Sequence, residues 1–554
     1  MYWNFVAFAG VLLSKAKTWP PMTYTTPDTI IVRPADPTLR EALRLAAIFA
    51  AIKLLLHFAL TLWTQHLGYS YFRDEFYYIV CGRHLAWGYV DQGPIVAVQA
   101  RLGELLFGDS LFAIRILSAL AGAVAVFLTG LLTWALGGRR SAQGLAMLGI
   151  LVAPCYLAID SFLSMNSFEP MFWVTCILAI VMMLRGHSQR TWWIVLGISA
   201  GLGLLNKPSM VFILVSLGLG LLLTPQRRLL FTWQAALGIV LMFVIVAPNV
   251  LWQAHYHWPL LEFLHNGKVG HKTPILGPLA FFGTQITTMH PLTVFLWIPG
   301  LIALLKSRSL PNCRWLGFAA VLFFALLLLM HAKDYYVVPI YPALFAAGAI
   351  AWERYFASRS FRSPLAIPLY ETLLLITGIL ILPMAIPVLA PDTWIRYTTA
   401  MHLHADKLES AETGPLPQLY ADRFGWQQEA DAMVRAYRSL SPTDQKNVCL
   451  FGNNYGEAGA IDFLGKQEEP NLPPAISPHN NYWMWGPHGC TGQLLIAVSD
   501  ATPEQLTHKF EDVTIVEHMD NPFAMPFEHK TVYLLRNRKP GVPPFDWAAM
   551  KFYF

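Results

Sequence analysis

Long apolar runs separated by short polar ones fill residues 42–390, and their lengths set the class of structure. A helix needs roughly 20 residues, at ~1.5 Å rise each, to cross a ~30 Å hydrocarbon core. The stretch 42–67 meets that length. Further spans are expected near 111–136, 142–160, 168–184, 191–205, 209–223, 229–252, 278–305, 315–331, 335–352 and 366–390, about eleven in all. The earlier stretch Phe5 to Leu13 is too short to span. It has no basic segment before it and no cleavage pattern after it, so no removable signal peptide is expected.

After about Ala390 the pattern changes to charged and polar residues with Pro and Gly. Trp426 to Leu440 has helical spacing, and Ser441-Pro442 is expected to stop that helix. Val448 to Phe451, Leu494 to Val498, Val513 to Val516 and Val532 to Leu535 look like short strands, which makes a small α/β domain. Asn471 to Gly492 is expected to be a long aromatic loop that packs over a domain rather than binding a ligand. The expected organisation is an N-terminal cytoplasmic segment at 1–40, a transmembrane domain at 41–390 with a large first outer loop at 69–110, and an extracytoplasmic α/β domain at 391–554.

Composition agrees with the span reading. Of 554 residues 55% are hydrophobic and only 13% charged, against about 25% charged in globular chains. The missing charge corresponds to surface that faces lipid. A net charge of +5 says little about nucleic acid. The six cysteines include no C-x-x-C pair, which leaves no zinc ribbon or thioredoxin-like site to read.

Every second loop is basic: Arg139-Arg140, Arg185 with Arg190, Arg227-Arg228, Lys306 with Arg308 and Arg314, and Arg354 with Arg359 and Arg362. By the positive-inside rule that side is the cytoplasm. Loops 69–110, 161–167, 206–209, 253–277 and 331–335 then face the periplasm or exterior, together with the C-terminal domain. Cys449 and Cys490 both fall on that side and are free to pair there.

Ionisable groups at the membrane edge are costly, so they are the first place to look for chemistry. The first outer loop carries Arg73-Asp74-Glu75 among aromatics, then Gly88-Tyr89-Val90-Asp91-Gln92-Gly93-Pro94. Asp74 stands where an N-cap is favoured and Gly88 where the helix would end, so capping competes evenly with a functional reading. Lys207 and Lys333 lie at outer helix ends. They are either snorkelling lysines or, converging with Arg73, Lys268 or Lys272, a site for a phosphate. Asp160 and Glu169 add two carboxylates nearby, with the amide of Asn166 between them. His255, His257, His265 and His271 share one loop without a common helical face, which favours surface histidines over a metal set. Walker-type, G-x-G-x-x-G, H-E-x-x-H and G-x-S-x-G motifs are missing from the sequence. A carboxylate base beside a phosphate-binding site at the bilayer edge suits group transfer from a lipid phosphate.

The block Arg73 to Tyr78, then Gly88 to Pro94, then Gly108-Asp109-Ser110 leading to Arg115, resembles the first outer loop of polytopic GT-C glycosyltransferases of the protein O-mannosyltransferase and aminoarabinose-lipid A transferase (ArnT-like) type. Lys333 to Pro342 is similar to that family's Lys-x-x-Tyr-x-x-Pro-x-x-Pro segment. The resemblance covers roughly residues 40–390. It implies a sugar donor linked to polyprenyl phosphate, an acceptor that is a lipid, protein or glycan, and inversion at the anomeric carbon on the outer face of the cytoplasmic membrane.

Mapped by residue, the resemblance makes Asp74 the base, Glu75 its orienting neighbour and Glu169 a second carboxylate. Lys333 and Tyr336 fall at the donor phosphate; Arg73 and Lys207 join them on charge, and Asp91 is a substrate-side carboxylate. A divalent metal is possible, with no ligand set implied. Gln92-Gly93-Pro94 departs from His-Pro-Pro, which bears on acceptor or donor identity. The rival reading is a secondary transporter or lipid-binding scaffold using Asp74 and Glu75 as a proton relay; internal repeats would favour it, and none is seen.

Overall fold

The computed structural model describes residues 37–272, 275–306, 310–358, 365–403, 410–542 and 545–554. The stretch Phe5 to Leu13, most of the segment 1–40, and the basic residues Arg308, Arg359 and Arg362 lie outside the described residues. The chain forms a helical bundle that carries a small five-stranded sheet domain.

Helix α1 (Leu39–His66) starts at a capping box in which Thr38 and Glu41 exchange backbone and side-chain hydrogen bonds. A short helix α2 (Arg73–Arg83) and helix α3 (Pro94–Phe107) make the loop expected to be the first outer one, and α4 (Leu111–Ala135) packs back against α1. All the expected spans coincide with helical segments, but they are not eleven straight crossings. Among the described residues six helices are long and apolar enough to cross, or eight if two bent pairs each count as one span.

The departures have local causes. The segment expected at 278–305 bends by 110° between Pro278–Thr288 and Pro291–Lys306, where His290 takes a positive φ of 80° and Pro291 withholds an amide. The segment 209–223 runs into a second short helix at 119°. The stretch 142–160 breaks at Ala153, whose backbone is extended before Pro154. Segment 335–352 begins as a 3₁₀ turn, Asp334–Ile340, before the α-helix Tyr341–Ser358.

In the C-terminal domain, strands β1 (Cys449–Phe451), β2 (Ala475–Ile476), β3 (Leu494–Ser499), β4 (Phe510–His518) and β5 (Thr531–Arg538) pair in the order β2-β1-β3-β5-β4. β1 runs parallel to both its neighbours, while β5 is antiparallel to β3 and β4. The four strands expected from sequence are there. β2 and the helix Asn481–Trp485 are not the plain loop expected for 471–492. Cys449 and Cys490 form a disulfide with Cα atoms 5.7 Å apart.

The sheet domain is not an appendage. Phe76, Tyr77, Val80 and Val96 of the first outer loop share one buried cluster with Trp426, Tyr455, Phe463 and Tyr482 of the domain. Burial of that many aromatic side chains, each worth a few kcal/mol, fixes the domain over the mouth of the bundle.

Candidate active site

The acidic pair on α2 divides into two roles. Glu75 is fully buried. Its carboxylate receives the Arg115 guanidinium at 2.9 and 2.7 Å and the backbone N–H groups of Phe72 at 2.8 Å and Leu163 at 2.7 Å. Burial raises its pKa, but Arg115, Arg423 and these hydrogen bonds outweigh burial and hold the carboxyl below its ordinary range. Glu75, not Asp74, caps the helix, since the N-cap is Phe72 and Asp74 is the second helical residue. Gly88 does not end it either: the helix stops at Arg83, and Gly88 instead lies under Trp252.

Asp74 keeps 29% of its side chain exposed. Its Oδ1 accepts a hydrogen bond from the Tyr455 hydroxyl at 2.9 Å and lies 3.6 Å from Arg73 Nε. Arg73 in turn stacks over Tyr455 and Phe527 and sits 3.9 Å from the Asp422 carboxylate. Asp91 lies close behind, its Oδ1 2.9 Å from the Tyr77 hydroxyl. Burial pushes its carboxyl up to about 6; the Tyr77 hydrogen bond and Lys272 oppose that rise and Asp74 adds to it. Asp74 and Asp91 are therefore within electrostatic reach of each other.

The second group forms at the ends of the spans, between helices. Lys207 Nζ lies 2.8 Å from Asn166 Oδ1 and 3.0 Å from Glu169 Oε2. It also sits over the rings of Tyr336 and Tyr335, 4.2 and 5.3 Å from their centroids. Ser209 donates to the other Glu169 oxygen at 2.6 Å. Glu169 thus neutralises Lys207. Lys333 projects near the Tyr335 ring, at 5.9 Å. Lys207, Tyr336 and Lys333 are brought together through the Tyr335-Tyr336 pair, a convergence that sequence spacing could not reveal. Asp160 leaves the group: it pairs inside the bundle with Lys53 at 2.9 Å.

Between the bundle and the sheet domain lies a cleft of about 570 Å³ lined by Arg73, Lys272, Tyr455, Phe527, Lys551 and Phe554, among others. Arg73 and Tyr455, which line it, both contact Asp74. The described residues hold no group of three or more His, Cys, Asp or Glu side chains fit to hold a metal ion. The four histidines between 255 and 271 form no such set.

Bundle, outer loop and sheet domain define a class: a polytopic membrane protein with the GT-C fold. The resemblance seen in the first outer loop holds at the level of fold. The chain is similar to ArnT from Cupriavidus metallidurans, solved with undecaprenyl phosphate, at a TM-score of 0.56 and 15% identity over 88% of this chain and 97% of that one. The same protein in its apo state gives 0.55 over the same shares. Residues 91–252 match the family described as dolichyl-phosphate-mannose-protein mannosyltransferase. A lipid A galacturonosyltransferase, RgtD of Rhizobium johnstonii, is 22% identical over 270 residues, 46% of this chain and 55% of that protein. The chain thus spans about half the length of the curated relative it matches. These relationships do not favour the transporter or scaffold alternative.

Proposed function

We propose that this protein transfers a sugar from a polyprenyl-phosphate donor to an acceptor at the outer face of the membrane, with Asp74 as the base. The observation that carries the reading is the split of the acidic pair: Glu75 is locked inside and Asp74 is left partly exposed beside a cationic, aromatic cleft. In this scheme an acceptor hydroxyl or amine attacks the anomeric carbon and gives its proton to Asp74. The bond from that carbon to the phosphate oxygen breaks, and polyprenyl phosphate leaves with the bond's electron pair. One displacement inverts the configuration.

The leaving phosphate needs positive charge and hydrogen-bond donors more than it needs an acid. Lys333, Tyr336, Arg73 and Lys272 are assigned to it. Lys207, already bound to Glu169, lies over the Tyr336 ring and holds it in place. Asp91 supplies a nearby carboxyl for the sugar hydroxyls. The relatives' activities, on lipid A and on proteins, support a lipid or protein acceptor and a lipid-linked donor. The basic loops and the Cys449–Cys490 disulfide favour a site on the oxidising side of a cytoplasmic membrane.

The test is covalent transfer by full-length protein in nanodiscs supplied with a panel of polyprenyl-phosphate sugars and an envelope lipid extract. New glycosylated product and release of polyprenyl phosphate support the reading. Sugar flux across vesicles without bond change would replace it with transport.

A further inference from the structure

Tyr455 belongs to the sheet domain, 381 residues from the side chain it touches. Its ring is clamped by Tyr77 at 4.8 Å and His479 at 4.7 Å, with the Arg73 guanidinium 5.6 Å from its centroid. Its hydroxyl is left pointing at Asp74, 2.9 Å away. The next residue is Gly456, where a Cβ would come within 2.4 Å of Arg73 Cγ, so a glycine is needed for this close approach.

The turn that presents Tyr455 is itself held from inside the domain. Glu457 Oε2 accepts the Asn453 and Asn454 N–H groups at 2.5 and 3.3 Å, and Oε1 accepts the Asn454 side-chain amide at 2.8 Å. Lys530, just before β5, pairs with the buried Glu457 and lies 3.6 Å from Glu528. Glu528 receives the same Asn454 amide at 3.1 Å. A chain of polar contacts, buried at the Lys530–Glu457 pair and part-buried beyond it, therefore runs from the start of β5 through Glu457 to the Tyr455 turn, and from there to Asp74.

We infer that Tyr455 is a positioning residue for the Asp74 carboxylate, set by the Glu457–Lys530 pair, so that the extramembrane domain completes the site. The catalytic consequence rests on Asp74 being the base; the positioning itself does not.

The test uses full-length protein in nanodiscs and dicyclohexylcarbodiimide, which attacks protonated, partly shielded carboxyls, with labelled peptides quantified by mass spectrometry. Removing one hydrogen bond to a charged group is expected to raise Asp74 labelling about tenfold in Tyr455→Phe. Lys530→Met is expected to do the same, and the double variant to add little. Asp91, held from the same domain through Tyr77 and Asn481, is the control for undocking. Its labelling should stay within twofold.

Unchanged Asp74 labelling in Tyr455→Phe overturns the inference, as does a parallel rise at Asp91. In the transfer assay Tyr455→Phe should lose about tenfold in kcat at unchanged donor KM; a normal kcat overturns the catalytic role. Labelling that moves while wild type transfers no sugar would refute the proposed function and leave the positioning standing.

Discussion

Replacing Arg115 with Met should loosen the first outer loop without touching Asp74. Glu75 is fully buried and receives four hydrogen bonds, two of them from the Arg115 guanidinium. Methionine keeps most of the apolar volume but leaves a buried carboxylate with its main counter-charge gone. Breaking a buried pair from one side costs roughly 3–5 kcal/mol. Arg423 stays close to Glu75 and takes up part of the loss, because it feels the same carboxylate; burial, reinforced by Arg115, lowers its own pKa to about 9.

At roughly 1.4 kcal/mol per decade, the lower figure implies amide exchange faster by about 100-fold or more. Hydrogen exchange at the Phe72 and Leu163 amides reads this directly, since both donate to Glu75. The folded Glu75 carboxyl binds its proton less tightly than in the unfolded chain. Its stabilisation is therefore complete above the ordinary carboxylate range and fades as the pH falls through the lowered value. The protection lost in Arg115→Met should match the part that wild type loses only in acid. Exchange within threefold of wild type at pH 7 would refute the claim that the pair holds the loop.

Asp91→Asn should remove an ionisation near pH 6 from the turnover profile, because burial places the Asp91 carboxyl there. Above that pH the wild type gains a negative charge beside Asp74 that favours proton uptake, so its turnover rises through pH 6; an unchanged profile would remove Asp91 from the site. Gly93→Ala should destabilise the protein by about 1–3 kcal/mol, since a Cβ at Gly93 would fall 1.9 Å from the Leu205 carbonyl oxygen, which is rigid backbone. Thermal inactivation half-lives in detergent check this, and an unaltered half-life would count against it.

What the sequence made legible depended on how local the signal was. Helical segments and four of five strands follow periodicity within a window of a few turns, and they lie where expected. The 110° bend at His290-Pro291 was missed because one apolar run hides a break that only a left-handed residue before proline creates. β2 is two residues long and carries no pattern. At the site, motif spacing brought out Asp74, Glu75 and the Lys333 block. The resemblance gave the adjacent carboxylates different roles, but nothing local in the sequence shows which one is buried, since that depends on Arg115 and Leu163, distant in sequence. Lys207 had only its charge to argue from, and its partners Glu169 and Tyr336 come from other helices. Tyr455 gave no signal at all, because its partner Asp74 lies in the other domain.

The central claim is that Asp74 is the base for transfer from a lipid-linked sugar, and it is tested most directly by mass spectrometry of lipids retained on gently purified wild type and Asp74→Asn. A disabled base should leave the donor bound while turnover falls by orders of magnitude. A polyprenyl-phosphate sugar should be enriched on Asp74→Asn, its headgroup naming the sugar. Only bulk phospholipid on both forms, with transfer by the variant close to wild type, would contradict it.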